Sequence, residues 1–365
     1  MKNNLLGKIM GKSPLTLVWP DEIYSEVSGE VLANPDLYVG LELEVEGLPR
    51  ALLGKPFNGF TYENDGSLRN NGAEYITAPT RTKHLRNLLT GFYTAFKINE
   101  GNYSERCSTH VHMNVCDMTL EKLATFVLTY QVFEKVLFNY VGNDRDKNIF
   151  CVPWCQANVN VNLVDLITSG KWLQLRDWNK YTALNLLPIA QRGTVEFRHM
   201  YGTCDVDKLM EWVNLIACMR NFANTPLEKV KSVILDLNTS SAYDIFLQSV
   251  FGQFSKVIMV GDYKVCMEAG VIDAKLMLTK PTGLIKEDVK SLDDVLLGGL
   301  FNREFPNGLP RGVRLAQPVR LGNNRDTNPV IFNDLVAVGN QVEVALERPQ
   351  EQRNQINPAV DNLDF

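Results

Sequence analysis

From Tyr38 to Glu46 the chain reads Tyr-Val-Gly-Leu-Glu-Leu-Glu-Val-Glu, an alternation with the period of two that a β-strand requires. Leu41, Leu43 and Val45 share one face and Glu42, Glu44 and Glu46 the other, with successive carboxylates about 6.6 Å apart along the strand. The same period returns at residues 72–78, which Pro79 closes, and at residues 107–115, where Val111, Met113 and Val115 alternate with His110, His112 and Asn114. Residues 181–186 and 194–200 read as two further strands joined through Pro188 and Gly193. Asn64-Asp65-Gly66-Ser67 supplies a tight turn ahead of the strand at 72–78, so residues 59–62 and that strand are expected to pair antiparallel.

A period near 3.6 takes over between these stretches. Leu85, Leu88, Leu89, Phe92 and Phe96 form an apolar stripe over residues 80–97. Leu120, Leu123, Val127, Tyr130, Phe133 and Leu137 predict a long helix from a Thr119 cap to a stop at Gly142, its single stripe lying on a sheet. Residues 205–222 predict another amphipathic helix, 227–254 two more, and 163–178 a partly helical insertion broken at Gly170. Strands that turn back repeatedly, with helices between them, predict an α+β fold: an antiparallel sheet with helices packed on one face.

The ends of the chain carry weaker patterns. Residues 1–37 read as an N-terminal extension, with a short strand at Leu15–Val18. Beyond Phe254 the pattern loosens. Residues 257–300 read as a peripheral helical segment, with a helix near Asp288–Leu297, and 301–365 as an extended or flexible appendage. Val330–Leu346 keeps some alternation, and the arginines of this appendage offer contacts to a protein partner. The central piece, 38–256, is the expected functional core.

Composition narrows the classes. The chain has 365 residues, 45% of them hydrophobic and 22% charged, which suits a folded protein with a large core. A net charge of -5 argues against nucleic acid as the main partner. No stretch approaches the roughly 20 apolar residues of a membrane span, and Met1–Pro20 holds no signal-peptide core, so a cytoplasmic protein without a membrane partner is expected. Seven cysteines without a Cys-x-x-Cys pair form neither a disulfide framework nor a zinc knuckle. There is no phosphate-binding Gly-x-x-x-x-Gly-Lys loop and no dinucleotide Gly-x-Gly-x-x-Gly.

The strands carry the chemistry. Taken alone, each motif has an ordinary structural reading: the glutamate row as a solvated face, His110-x-His112 as hydrogen-bonded structural histidines, and Glu196-x-Arg198 as a cross-strand ion pair. Facing a cleft, the carboxylates need cations, which suits Mg²⁺ or Mn²⁺. Two imidazoles at strand-face spacing reach one ion or one phosphate, and the Arg198 fork grips a phosphoryl or carboxylate group. Glu74 adds another acid, and Asp65 lies in its turn. His199 falls on the face of Val195 and Phe197 and reads as a packed core histidine. Three separate strands with polar pairs at period two form the inventory needed to hold two divalent cations against a polyphosphate.

In order, these motifs are Gly40-Leu41-Glu42-Leu43-Glu44, Asp65-Gly66-Ser67-Leu68, residues 72–79, Thr109-His110-Val111-His112-Met113-Asn114, Arg145 with Asn148 and Cys151, Ala183-Leu184-Asn185, and Thr194-Val195-Glu196-Phe197-Arg198. The series, from Tyr38 to about Ala223, resembles the amidoligases of phages and bacteria, a family similar to glutamine synthetase and glutamate-cysteine ligase. The resemblance implies a half-barrel antiparallel sheet and ATP-dependent amide formation with Mg²⁺ or Mn²⁺. It implies that Glu42, Glu44, Glu74, His110 and Glu196 ligate metal, that His112 contacts ATP phosphate, and that Arg198 stabilises the transferring phosphoryl group beside Glu196. Asn185, Arg145 and Asp65 would serve substrate or nucleotide.

The implied partners are ATP, a carboxylate, and an amine such as an amino acid, peptide or polyamine, in the host cytoplasm if the chain is phage-encoded. Glu46, at the strand end and outside the motif, is expected on a solvated face. Two alternatives differ in kind: a transition-metal hydrolase or oxygenase holding one metal with His110, His112 and a glutamate, and a non-catalytic phage structural or interaction protein.

Overall fold

A computed structural model describes residues 24–55, 57–142, 144–157, 163–170 and 178–279. The expected strand at Leu15–Val18, the helix near Asp288–Leu297 and the whole appendage 301–365 lie outside the described residues, as do 171–177 of the predicted insertion. Residues 24–64 and 70–279 fall in one compact unit, described below. Asp65–Arg69 is the described part of a second, in which Asp65 accepts the Ser67 N–H through Oδ1 at 2.7 Å and so caps its own turn.

Seven strands form one open antiparallel sheet: β1 (Tyr38–Val45), β2 (Phe60–Glu63), β3 (Ala73–Thr77), β4 (Thr80–Arg81), β5 (Ser108–Asn114), β6 (Leu184–Asn185) and β7 (Thr194–Tyr201). Their order is β2-β3-β1-β5-β7-β6, with β4 beside the start of β1. Every strand predicted within the described residues is present, although only Leu184–Asn185 of residues 181–186 is strand, and β1 lies inside the sheet with its apolar face buried completely: Leu41, Leu43 and Val45 have almost no exposure. Tyr75, Val111, Met113, Val195 and Phe197 join them in one core. Each such side chain, taken from water to a full burial, contributes roughly 2 kcal/mol.

The helices cover this apolar face. On α1 (Thr82–Phe96) the predicted stripe is buried, and Phe92 stacks on Phe60 with ring centroids 4.3 Å apart and packs on Tyr75 at 5.0 Å. Helix α2 (Leu120–Val141) begins where Thr119 Oγ1 accepts the Lys122 N–H and ends at Gly142, as the pattern predicts. The short α3 (Leu163–Thr168) precedes Gly170, and α4 (Pro188–Arg192) links β6 to β7. Then come α5 (Val206–Phe222), capped by Asp205, α6 (Leu227–Asp236), α7 (Ser240–Phe251), α8 (Ser255–Ile258) and α9 (Tyr263–Thr279). No described helix is long and apolar enough to cross a membrane.

Two features differ from the pattern. Helix α2 is buried almost all round rather than along one stripe, because α9 lies against its other side. At the contact, Gly270 sits so close that a Cβ there would lie 2.0 Å from the Val132 carbonyl oxygen, and Met267, Val271 and Ala274 are buried beside it. The helical layer thus continues beyond residue 256, into the segment read as peripheral and helical, where the pattern places its helix near Asp288–Leu297 rather than at Tyr263–Thr279.

The second is a register shift between β5 and β7. Thr109 pairs with Met200 and Val111 with Phe197, so Arg198 and His199 together oppose His110. Arg145, in a 3₁₀ turn after α2, holds this bulge: Nε donates to the His199 carbonyl at 2.9 Å, and Nη2 to the Arg198 carbonyl at 2.9 Å and to the Ser108 hydroxyl oxygen at 3.0 Å.

Candidate active site

The register sets the opposite face of the sheet. Glu42 on β1 faces His110 on β5, His112 on β5 faces Glu196 on β7, and Asn185 on β6 faces Glu196 from the other side. On the other flank Glu44 faces Glu74 on β3, which in turn faces Glu63 on β2. One surface therefore collects almost every polar residue that the sequence singles out.

Glu63 at its β2 end is exposed and Glu74 half-buried, but the part along β1 is closed to water. Glu42, Glu44 and Glu46 are 9%, 6% and 6% exposed, so the solvated-face reading fails for all three, Glu46 included. The Glu46 backbone is tied to Asn102, whose carbonyl accepts its N–H at 2.8 Å and whose side chain donates to its carbonyl at 2.8 Å, which draws the strand end under the neighbouring turn.

Glu42 is the hub. Its Oε2 lies 3.1 Å from His110 Nδ1, and its Oε1 lies 2.9 Å from His112 Nε2 and 3.0 Å from Arg192 Nη1. Burial by itself pushes this carboxyl upward, but the hydrogen bonds from His110 and His112, with their charge, more than offset it and hold Glu42 far below the usual carboxylate range. Glu44 Oε2 accepts the Ser108 N–H at 2.7 Å, while its Oε1 is 3.8 Å from His110 Nε2. That imidazole nitrogen is buried and has no hydrogen-bond partner among the described residues. If Nδ1–H donates to Glu42, Nε2 presents its lone pair toward the acids, the arrangement that orients a metal-binding histidine.

Both nitrogens of His112 are engaged within the chain, Nε2 with Glu42 and Nδ1 with Thr194 Oγ1 at 3.1 Å. Glu196 accepts Asn185 Nδ2 at 2.8 Å on Oε2, and Arg198 Nη1 on Oε1. Burial raises the Glu196 carboxyl, yet Arg198 first and then His110 and His112 bring it below its ordinary value. Arg198 is fixed further by Nε donating to the Phe150 carbonyl at 2.8 Å, and its guanidinium lies 5.8 Å from the Tyr181 ring centroid. Burial works against its charge, but Glu196, Glu44 and Glu42 more than restore it.

Among the described residues, two groups of three could hold a metal ion, with one ligand atom per residue and all within 4.8 Å of one another: Glu42, His112 and Glu196, and Glu42, Glu74 and His110. They share Glu42. His110 and His112 fall in different groups, so the two imidazoles are not gathered in one three-ligand centre with a glutamate. Arg145 stands behind the sheet strands as described, with Nε and Nη2 on the chain itself. His199 is a core histidine, ringed by Tyr130, Phe138 and Trp212 and held neutral, its pKa lowered to about 3 by burial and by Arg145.

Thr194, Phe150, Ser108 and Arg192 were not singled out by sequence reasoning. The first three act through a hydroxyl or the backbone, and no side-chain pattern marks them. Arg192 comes at the end of a single helical turn, where no periodicity points to the site.

Residues 73–219 match a protein family described as "Putative amidoligase enzyme". The match takes in β3, β5, β6 and β7 but not β1, which the sheet order inserts between β3 and β5. No curated protein matches the chain.

Proposed function

We propose that the protein is an ATP-dependent carboxylate–amine ligase. ATP phosphorylates a carboxylate to an acyl phosphate; the amine nitrogen then attacks the acyl carbon, the carbon–oxygen bond to phosphate breaks, and an amide, ADP and phosphate result. One observation carries this reading: two ligand groups share Glu42 on the same sheet face as an arginine clamped by Glu196. The amidoligase match over residues 73–219 supports the same reaction class.

The residues fit divalent cations. Each group offers two carboxylates and one imidazole, a donor set suited to Mn²⁺ as well as Mg²⁺, and the unpartnered His110 Nε2 is a buried donor atom awaiting such use. Glu42, Glu74 and His110 would hold one ion and Glu42, His112 and Glu196 a second, with Glu44 beside His110. Bound ions supply charge neutralisation across phosphate oxygens during transfer.

The chain's own residues do the rest. Arg198, held at two nitrogens and kept charged, presents a fixed guanidinium for the transferring phosphoryl group, stabilisation that needs no rearrangement at the moment of reaction. Glu196 positions Arg198, and Asn185 positions Glu196. An acyl phosphate is lost to water, so a shielded floor is required; Glu42, Glu44, His110 and Glu196 all lie below a tenth exposed. Asn185 and Arg145 keep their expected service to substrate or nucleotide only as part of this reading. The substrates besides ATP are a carboxylate and an amine such as an amino acid, peptide or polyamine, and the setting is the cytoplasm.

The test is ADP release from ATP and Mg²⁺ or Mn²⁺ in the presence of mixed carboxylates and amines. Release is expected from wild type and not from Glu42→Ala or Arg198→Ala. Inactivity across broad panels, together with no nucleotide binding, would sink the reading.

A further inference from the structure

Arg192 approaches the site differently from Arg198. Its side chain is 53% exposed, yet its Nη1 reaches 3.0 Å from Oε1 of Glu42, a carboxylate common to both ligand groups. The main chain behind it is anchored: Arg192 ends α4, Gly193 caps that helix at φ +72°, and the Gly193 carbonyl accepts the Val115 N–H at 3.0 Å. A fixed backbone therefore carries a long, half-exposed side chain whose charged end lies on the central metal-ligand candidate.

Such a bond and a metal bond compete for the same oxygen. Oε1 of Glu42 already accepts from both His112 and Arg192, so its two lone pairs are engaged and a cation bound through this oxygen must take the place of one of them. His112 is also held at Nδ1 by Thr194 Oγ1, which leaves the half-exposed Arg192 as the partner that yields. The contrast with Arg198 is instructive. Arg198 is held by Glu196 and by the Phe150 carbonyl, so its position does not depend on Glu42, whereas among the described residues the Arg192 side chain bonds only to Glu42.

We propose that Arg192 is a built-in competitor for the divalent cation, displaced from Glu42 when the cation binds and then turned toward an oxyanion of the co-ligand at the mouth of the site. The inference rests on the metal reading above and adds a residue that this reading does not use. A charge leaving as another arrives keeps the acidic floor balanced, and the released guanidinium has the planar fork that suits phosphate or carboxylate.

The experiment has two readouts that need no turnover. Mn²⁺ binding is followed by electron paramagnetic resonance in wild type, Arg192→Ala and Glu42→Gln. Accessibility of Arg192 is followed by dicarbonyl labelling and mass spectrometry, with and without Mg²⁺, then with added tripolyphosphate or acetate to separate a phosphate from a carboxylate co-ligand. Arg192→Ala should bind Mn²⁺ up to about fivefold more tightly, the range set by a half-exposed ion pair. Mg²⁺ should raise labelling of Arg192 while Arg198 stays protected, and the matching oxyanion should lower it again. If wild type binds Mn²⁺ through Glu42 but Arg192→Ala binds no more tightly, or Arg192 labelling ignores Mg²⁺, the competitor role is overturned and the metal reading stands. If wild type binds no Mn²⁺, the metal reading fails and takes this inference with it.

Discussion

Glu44 and Glu74 stand directly opposite each other across β1 and β3, and Glu63 extends the acidic row on β2. Like charges in facing positions on a sheet destabilise by a few tenths to about 1 kcal/mol per pair, so bringing Glu44 beside Glu74 costs stability that a cation bound there, on the ligase reading, would recover.

Glu74→Gln should therefore make the protein more stable when no divalent cation is present and less responsive when one is added. In chelator the midpoint of thermal unfolding should rise by roughly 1–3 °C. With Mn²⁺ the wild type should gain stability, and the variant should need at least about tenfold more metal for the same gain. Differential scanning calorimetry across a metal titration reads both effects. A variant that is less stable in chelator would show that the row is not under repulsion.

Beneath the sheet, Glu134 on α2 is fully buried, accepting the Trp154 N–H and the Tyr130 hydroxyl at 2.8 Å each on Oε1. Burial raises its pKa to about 7 from 4.5, although those two bonds act the other way. The folded chain thus holds a proton that the unfolded chain releases between pH 4.5 and about 7, and this group's contribution to stability falls as pH rises through that window, by about 3 kcal/mol in all. Glu134→Gln cannot ionise. Its stability relative to wild type should improve between pH 5 and pH 8, as measured by urea unfolding at the two values; a constant difference would show that Glu134 is already ionised in the fold.

Gly270→Ala should be among the most damaging single-methyl changes in the chain. The new Cβ would meet the Val132 carbonyl at 2.0 Å, a backbone atom that cannot rotate away, so α9 must move off α2. A loss of about 3 kcal/mol or more is expected, at or beyond the usual range for overpacking. The midpoint of denaturant unfolding reads it, and a loss below about 1 kcal/mol would mean that the two helices separate readily.

The periods of two and 3.6 carried much of this fold to the surface of the sequence. The strands at Tyr38–Val45 and Ser108–Asn114, and the helix from Thr119 to Gly142, are local patterns and stand where they were read. What pairs with what is not local. That Glu42 faces His110, or that Arg198 and His199 bulge opposite it with Arg145 holding their carbonyls, depends on strand order, which no single stretch encodes.

Burial is likewise a tertiary property. Glu46 looks solvated from its place at a strand end until Asn102 is brought over it. Within the segment read as peripheral and helical, the place of α9 is not legible because its buried positions, Met267, Gly270, Val271, Ala274 and Met277, are small or unremarkable residues whose role appears only against α2. Arg192 is invisible for a related reason: a single arginine in a one-turn helix has meaning only once Glu42 is beside it.

The most direct test of the ligase account is nucleotide binding that depends on metal and on Glu42. Thermal unfolding of the full chain should be followed with a non-hydrolysable ATP analogue and Mg²⁺ or Mn²⁺, each alone and together. At a ligand concentration about 100 times its dissociation constant, binding to the native state adds about 2.7 kcal/mol, or roughly 5–10 °C for a chain of this kind. A smaller rise is expected with metal alone, the full shift only with analogue and metal together, and loss of the full shift in Glu42→Ala. No shift under any combination, or an equal shift in Glu42→Ala, would contradict it.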